Sequence, residues 1–236
     1  NRTYFINENI SLPVISIIAP PDFMWDSLYG IYPNRFKQRE IPVSFEFFPV
    51  NNTPALRINA GLRLTGNYSI CYPQISFTIT ARDRYGADDF NYRFFPERAI
   101  NSFKSIYLRN GGNPDIYFTF LRDALMHSMA INKMDIDCQA YRPTVVFLNG
   151  RYWGIYNIRD KISAAYIANL HHVNPDNIDL LEYERDPPTI MEGNLDNYTA
   201  FYNFIDSNDF TKEDNYRFIE NWMDIDEFIN ICICQI

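Results

Sequence analysis

"SIYLRNGGNPDIYFTFLRDALMHSMA", residues 105–130, decides how the chain is read. Its first residues alternate as a strand does, Gly111, Gly112 and Pro114 interrupt the alternation, and an amphipathic stretch follows. A glycine-rich turn between strand and helix either cradles a phosphate on backbone N–H groups or only redirects the chain. Phe118, Leu121, Leu125, Met129 and Ile131 recur close to a 3.6-residue period, and Pro114 and Asp115 suit a helix start. The spacing predicts a helix over 116–131.

Upstream, "SLPVISII" (11–18), "PVSFEFFPV" (42–50), "ALRINAGLRLTG" (55–66), "PQISFTITAR" (73–82) and "FKSIYLRN" (103–110) read as strands. In the third of these Leu56, Ile58, Ala60, Leu62 and Leu64 share one face, opposite Arg57, Asn59 and Arg63. Downstream, "TVVFLNGRYWGIYNI" (144–158) sets two β-rich runs around Asn149-Gly150, the pair that favours a two-residue type I′ hairpin. "RDKISAAYIANLHH" then opens a helix, "NPDNIDLLEY" gives a turn and a short strand, and from Leu195 onward the pattern is helical. The expected fold class is α+β, with a sheet-rich lobe over 1–158 and the start of a helical lobe over 159–236.

With 236 residues, 47% hydrophobic and 21% charged, the chain can bury a sizeable core and carries no disorder signature. A net charge of −8 without Lys/Arg runs argues against a nucleic-acid groove. No transmembrane segment is expected, since no apolar run approaches the ~18 residues needed to span a bilayer. Cys71, Cys138, Cys232 and Cys234 fit no zinc spacing. The start at Asn1 rather than Met is read as that of a trimmed or mature fragment whose export signal is not part of this chain.

No Gly-x-Ser-x-Gly elbow, His-Glu-x-x-His, phosphate-binding P-loop or dinucleotide fingerprint occurs, and three histidines leave little room for Ser-His acyl transfer. Paired carboxylates in "DIDC" and "DIDE" are what an acidic surface supplies. The polar cluster that stands out is Arg109, Asn110, Gly111, Gly112 and Asn113, followed by Arg122 and Asp123. Guanidinium forks suit phosphate, and they equally suit an Arg–Asp pair that staples the helix to the sheet.

"YLRNGGN…FLRDAL", "YRPTVVFLNGRYWGIYNIRDKI" and "NPDNIDLLE" resemble the signature segments of the CotH family, spore-coat protein H and its bacterial relatives. "LPVISI…GIYPN" and "AGLRLTGNYSICYPQISF" resemble further family segments, so the likeness runs over most of residues 12–236. The resemblance implies an atypical protein-kinase-like fold: a mainly antiparallel sheet as N-lobe, one regulatory-type helix, and the beginning of a helical C-lobe. It also implies transfer of the ATP γ-phosphate, with Mg²⁺ or Mn²⁺, to a serine-rich protein substrate that is exported, at the cell surface or in the spore coat. Nucleotide binding would then involve Arg109, Asn110, Asn113, Arg122, Asp123 and Asp160.

Three departures qualify that expectation. Where the family has Tyr-Pro-Gln-Lys-Ser, this chain has Tyr72-Pro73-Gln74-Ile75-Ser76, and Ile75 can neither hold phosphates nor pair with a helix acid. The family's Arg-Glu-Lys is Arg159-Asp160-Lys161 here, a mild change. The family's Asp-Trp-Pro-x-Asn-Asn loop and Asp-x-Asp metal motif have no counterpart in residues 1–236, so the catalytic residues are expected beyond residue 236 and the chain is expected to be inactive alone. Exposed apolar side chains are expected on the last helix at Phe228, Ile229, Ile231 and Ile233. The rival reading is a pseudokinase or surface interaction module that uses some of its 17 Tyr, 19 Phe and 3 Trp, most of which belong to the core. A carbohydrate-active enzyme, supported by stray carboxylates alone, ranks last.

Overall fold

Period-two alternation builds the barrel strands of the first unit. The computed structural model describes residues 2–6, 10–50, 53–111, 119–183 and 187–234. The chain divides into two compact units, Asn1–Ser128 with Gln139–Lys161, and Met129–Cys138 with Ile162–Ile236.

In the first unit the strands are β1 (Val14–Ile18), β2 (Glu40–Phe48), β3 (Leu56–Thr65), β4 (Ser76–Thr80), β5 (Phe90–Asn91), β6 (Ser102–Phe103), β7 (Ser105–Arg109), β8 (Tyr141–Leu148) and β9 (Arg151–Asp160). Seven of them close into a barrel in the order β1-β2-β3-β4-β7-β9-β8, with β8 returning to β1. Every pair in it is antiparallel except β1 with β8, where Val14, Ile15 and Ser16 lie beside Val145, Val146 and Phe147. The expected N-lobe sheet is therefore a closed barrel, which sets it apart from the usual kinase N-lobe. Closure supplies partners for both sheet edges.

The hairpin forms where Asn149-Gly150 predicts it. Both residues have positive φ, 49° and 77°, as a type I′ turn requires. β1 also holds the turn, because Asn149 N donates to Ile17 O at 2.8 Å and Ala19 N donates to Asn149 Oδ1 at 2.8 Å. The inward faces of the barrel strands are buried over most of their length, as at Ile15, Phe45, Leu62, Phe77, Ile106, Val146 and Ile158. Phe90 and Phe94 cover part of that core, with ring centroids 5.4 Å from Phe45 and 5.2 Å from Phe47. A separate cluster, Val14, Phe48 and Val145, packs beneath Phe5, Ile10, Leu12 and Phe147.

The helix after the glycine loop is α2 (Arg122–Ala130), following the short α1 (Pro21–Trp25). The helix starts later than the 116–131 expectation: residues 119–121 lead into it as a turn, with Phe120 at φ 61°, while Asn113 and residues 116–118 lie outside the described residues. Its apolar stripe does not face the core: Leu121, Leu125 and Met129 are more than half exposed, while Ala124 and Ala130 are buried. The inward face carries Asp123 and His127, so ionic partners on the sheet rather than hydrophobic periodicity orient the helix.

The second unit contains α3 (Ala164–His171), β10 (Leu180–Glu182), β11 (Thr189–Glu192), α4 (Asp196–Ser207), α5 (Glu213–Glu220) and α6 (Ile225–Cys234). Ser163 caps α3, its side chain accepting from Tyr166 N at 3.2 Å. Stacked rings join α4 to α5, with Phe204 and Phe218 4.0 Å apart. Phe228, Ile229, Ile231 and Ile233 of α6 are 43–56% exposed, in line with the sequence expectation. None of the four cysteines forms a disulfide. Among the described residues no helix is long and apolar enough to cross a membrane.

Candidate functional site

β7 and β9 run antiparallel with Tyr107 opposite Arg159 and Arg109 opposite Asn157, which puts both arginines on one face. α2 lays Asp123 against that face. Asp123 Oδ2 is 3.1 Å from Arg109 Nε and 3.2 Å from Arg159 Nη1, while His127 Nε2 stands 3.7 Å from Oδ1. The Arg159 side chain is 0% exposed, Arg109 41% and Asp123 29%. A fully buried guanidinium is tolerated only with a carboxylate beside it, which is the local reason the helix docks where it does.

His127 completes the cluster. Gln139 N donates to His127 Nδ1 at 3.2 Å, so the ring proton of the neutral imidazole sits on Nε2, facing Asp123. Burial, reinforced by the charge of Arg159, lowers the His127 pKa, and the ring is neutral at neutral pH. Gln139 also donates through Nε2 to Asp160 O at 2.6 Å and accepts from Arg159 Nη2 at 3.5 Å.

Directly after Arg109 the chain is pinned. Asn110 is 0% exposed; its N donates to Ser76 Oγ at 3.0 Å, Ser76 Oγ donates to its Oδ1 at 2.9 Å, and its Nδ2 donates to Gln74 O at 2.5 Å. The other side of the Gln74–Ser76 segment is held by Tyr156 Oη, which donates to Ile75 O at 3.1 Å, and by Gln74 Nε2, which donates to Ile155 O at 2.7 Å. Gly154 makes this approach possible: its φ is +134°, and a Cβ there would sit 3.1 Å from the Gln74 side chain. The Ile75 side chain is 1% exposed, part of the core leading into β4.

The six residues singled out from the sequence are thus distributed unevenly. Arg109 and Asp123 meet; Arg122 is exposed in the first turn of α2; Asn110 is buried and anchors the strand end; Asn113 lies outside the described residues. Asp160 shares its face with Ile106, opposite the arginine pair, and is 1% exposed, with Ala140 N donating to Oδ2 at 3.4 Å and Arg98 Nε at 4.0 Å. Burial pushes its pKa up to about 6 against the opposing pull of Arg98. Arg159, His127, Gln139 and Arg98 were not singled out. Counting two residues on from Asn157 puts Arg159 on the arginine face once the register with Arg109 is known, whereas nothing local marks His127 or Gln139.

The guanidinium of Arg109 has the chemistry to hold phosphate oxygens. For a divalent cation the fit fails: among the described residues no group of three or more His, Cys, Asp or Glu could hold a metal ion.

The described residues define a seven-stranded barrel domain whose helix carboxylate is clamped by two strand arginines. A family model described as CotH kinase protein matches residues 62–236, and the chain belongs to that family. No curated protein matches the chain.

Proposed function

We propose that this chain is a CotH-type kinase-like domain that binds a nucleotide on the first unit, in a protein that transfers the ATP γ-phosphate to serines of an exported, surface or spore-coat protein. The observation that carries the reading is Asp123 of α2 paired with Arg109 and Arg159 of the sheet. Protein kinases use the same logic, a strand cation paired with a helix carboxylate, to organise the phosphates. Family membership supports ATP as the phosphate donor and a protein as acceptor. Bound ATP would supply the transferable phosphoryl group, and the cluster of Arg109, Asp123 and Arg159 would orient its phosphates.

The second reading, a pseudokinase or interaction module, is favoured by Ile75 and by the lack of a metal-ligating cluster among the described residues. Titration calorimetry of the chain with ATP, in the presence of Mg²⁺ or Mn²⁺, separates the two. Saturable binding supports the nucleotide reading, and absence of heat with either cation supports the interaction module. Ile75→Lys is expected to destabilise the protein by about 2 kcal/mol or more, because an ammonium then starts inside the core, and to leave ATP affinity no higher. A large gain in affinity would instead make this an eroded lysine site.

A further inference from the structure

We propose that Arg109 is the side chain that grips the nucleotide's phosphates, that Asp123 is the positioning residue setting the angle of its fork, and that buried Arg159 anchors Asp123. This rests on the nucleotide-binding reading above. Arg109 is the last residue of β7 and 41% exposed, so it alone of the two arginines reaches solvent. Its Nε lies 3.1 Å from Asp123 Oδ2 as an ion pair without hydrogen-bond geometry, and among the described residues its two Nη nitrogens make no hydrogen bond. The terminal edge of the fork, the edge that binds two oxygens of one phosphate, is therefore available. The strand end behind it does not wander, because Asn110 is tied to Ser76 and Gln74 by three hydrogen bonds. Gly111, with φ +92°, then turns the chain beside it.

Charge balance points the same way. Two guanidiniums share the Asp123 carboxylate, His127 is held neutral, and Asp160 lies on the opposite face beside Arg98. Among the described residues these groups leave one positive charge in excess on this face, and its solvent-facing part belongs to Arg109. With Arg109 alone, Asp123 would cancel it; with Arg159 also drawing on the carboxylate, an arriving anion gains more than it would from a neutralised pair.

The test compares ATP, ADP and adenosine, titrated into the chain at fixed Mg²⁺. Arg109→Gln is expected to weaken ATP tenfold or more, ADP less, and adenosine by under about twofold, the loss of a charge-assisted pair being felt only by phosphates. Arg109→Lys, which keeps the charge without the fork, should fall between. Asp123→Asn should weaken ATP several-fold and Asp123→Glu should restore most of it, a rescue that a mere helix staple would not show in the ratio of ATP to adenosine affinity. Should the Asp123 variants unfold, the Arg109 variants decide the matter, since that side chain is partly exposed. Unchanged ATP binding in Arg109→Gln would overturn the inference and leave the nucleotide reading standing. Parallel loss of ATP and adenosine would reduce Arg109 to a structural staple. No binding of any of the three by the unsubstituted chain would remove the reading and the inference together.

Discussion

Asp160 and Asp123 are both carboxylates beside arginines, yet their surroundings set them opposite tasks. Asp123 is partly exposed and touched by two guanidiniums at 3.1 and 3.2 Å. Asp160 is 1% exposed with Arg98 no nearer than 4.0 Å, and desolvation wins. The consequence is a pH dependence with a definite sign. The pKa rises from 3.8 to about 6 in the folded protein, so the folded state binds the proton more tightly than the unfolded chain does. This contribution to stability is fully present below about pH 3.8 and is lost as pH rises through about 6. A displacement of about two pH units corresponds to roughly 3 kcal/mol. Urea unfolding of the unsubstituted protein and of Asp160→Asn between about pH 4 and pH 7.5 isolates this group, because all other titrations are common to both. Relative to the variant, the unsubstituted protein should lose on the order of 3 kcal/mol across that range. A difference independent of pH would mean that Asp160 ionises as it does in water.

The hairpin of β8 and β9 is the element most plainly written in the sequence, and its turn shows how local preference and tertiary capture combine. Gly150 has open space where a Cβ would go, so Gly150→Ala should cost only the left-handed backbone, about 1 kcal/mol. Asn149 has the same type of backbone and also receives Ala19 N on its Oδ1, so Asn149→Ala should cost about 2–3 kcal/mol by chemical denaturation. The reverse order would show that turn geometry alone holds the hairpin. β2, β3 and β7 were equally legible, since alternation is a local property and each strand keeps one face buried. α2 was legible as a helix but not in its orientation. Leu125 and Met129 suggested an inward apolar stripe, and the paired charges on Asp123, Arg109 and Arg159 turned the helix the other way. β5 and β6, two residues each, are too short to leave any periodic trace. The Arg109–Asp123 pair was legible as one of two alternatives, whereas Arg159, His127 and Gln139 join it only through β-register and helix packing.

At the scale of the molecule, the step that no local signal announces is closure. The parallel pairing of Val14 with Val145 joins residues far apart in sequence, and each of the two strands reads as an ordinary strand by itself. An open sheet would have β1 or β8 at an edge, and an edge strand offers every second N–H to water and to other chains. In the barrel, β1 is hydrogen-bonded to β2 on one side and to β8 on the other, with Val145 N donating to Pro13 O at 2.9 Å where the two strands begin to pair. Successive amides of Ile15, Ser16 and Ile17 should therefore all exchange slowly with deuterium, as slowly as those in the middle of β3, which has neighbours on both sides in either topology. Exchange that is fast at alternate residues of β1 and slow at those between would show β1 and β8 to be separated in solution. Uniform protection has a consequence beyond topology. The face that carries Arg109 and Arg159 is built on β7 and β9, and β9 is joined through β8 to β1, so closure fixes the strands beneath the arginine pair from both sides. A ligand that engages Arg109 should then leave exchange in β1 unchanged while slowing it in α2, because only the helix is held to the barrel by the pair the ligand contacts.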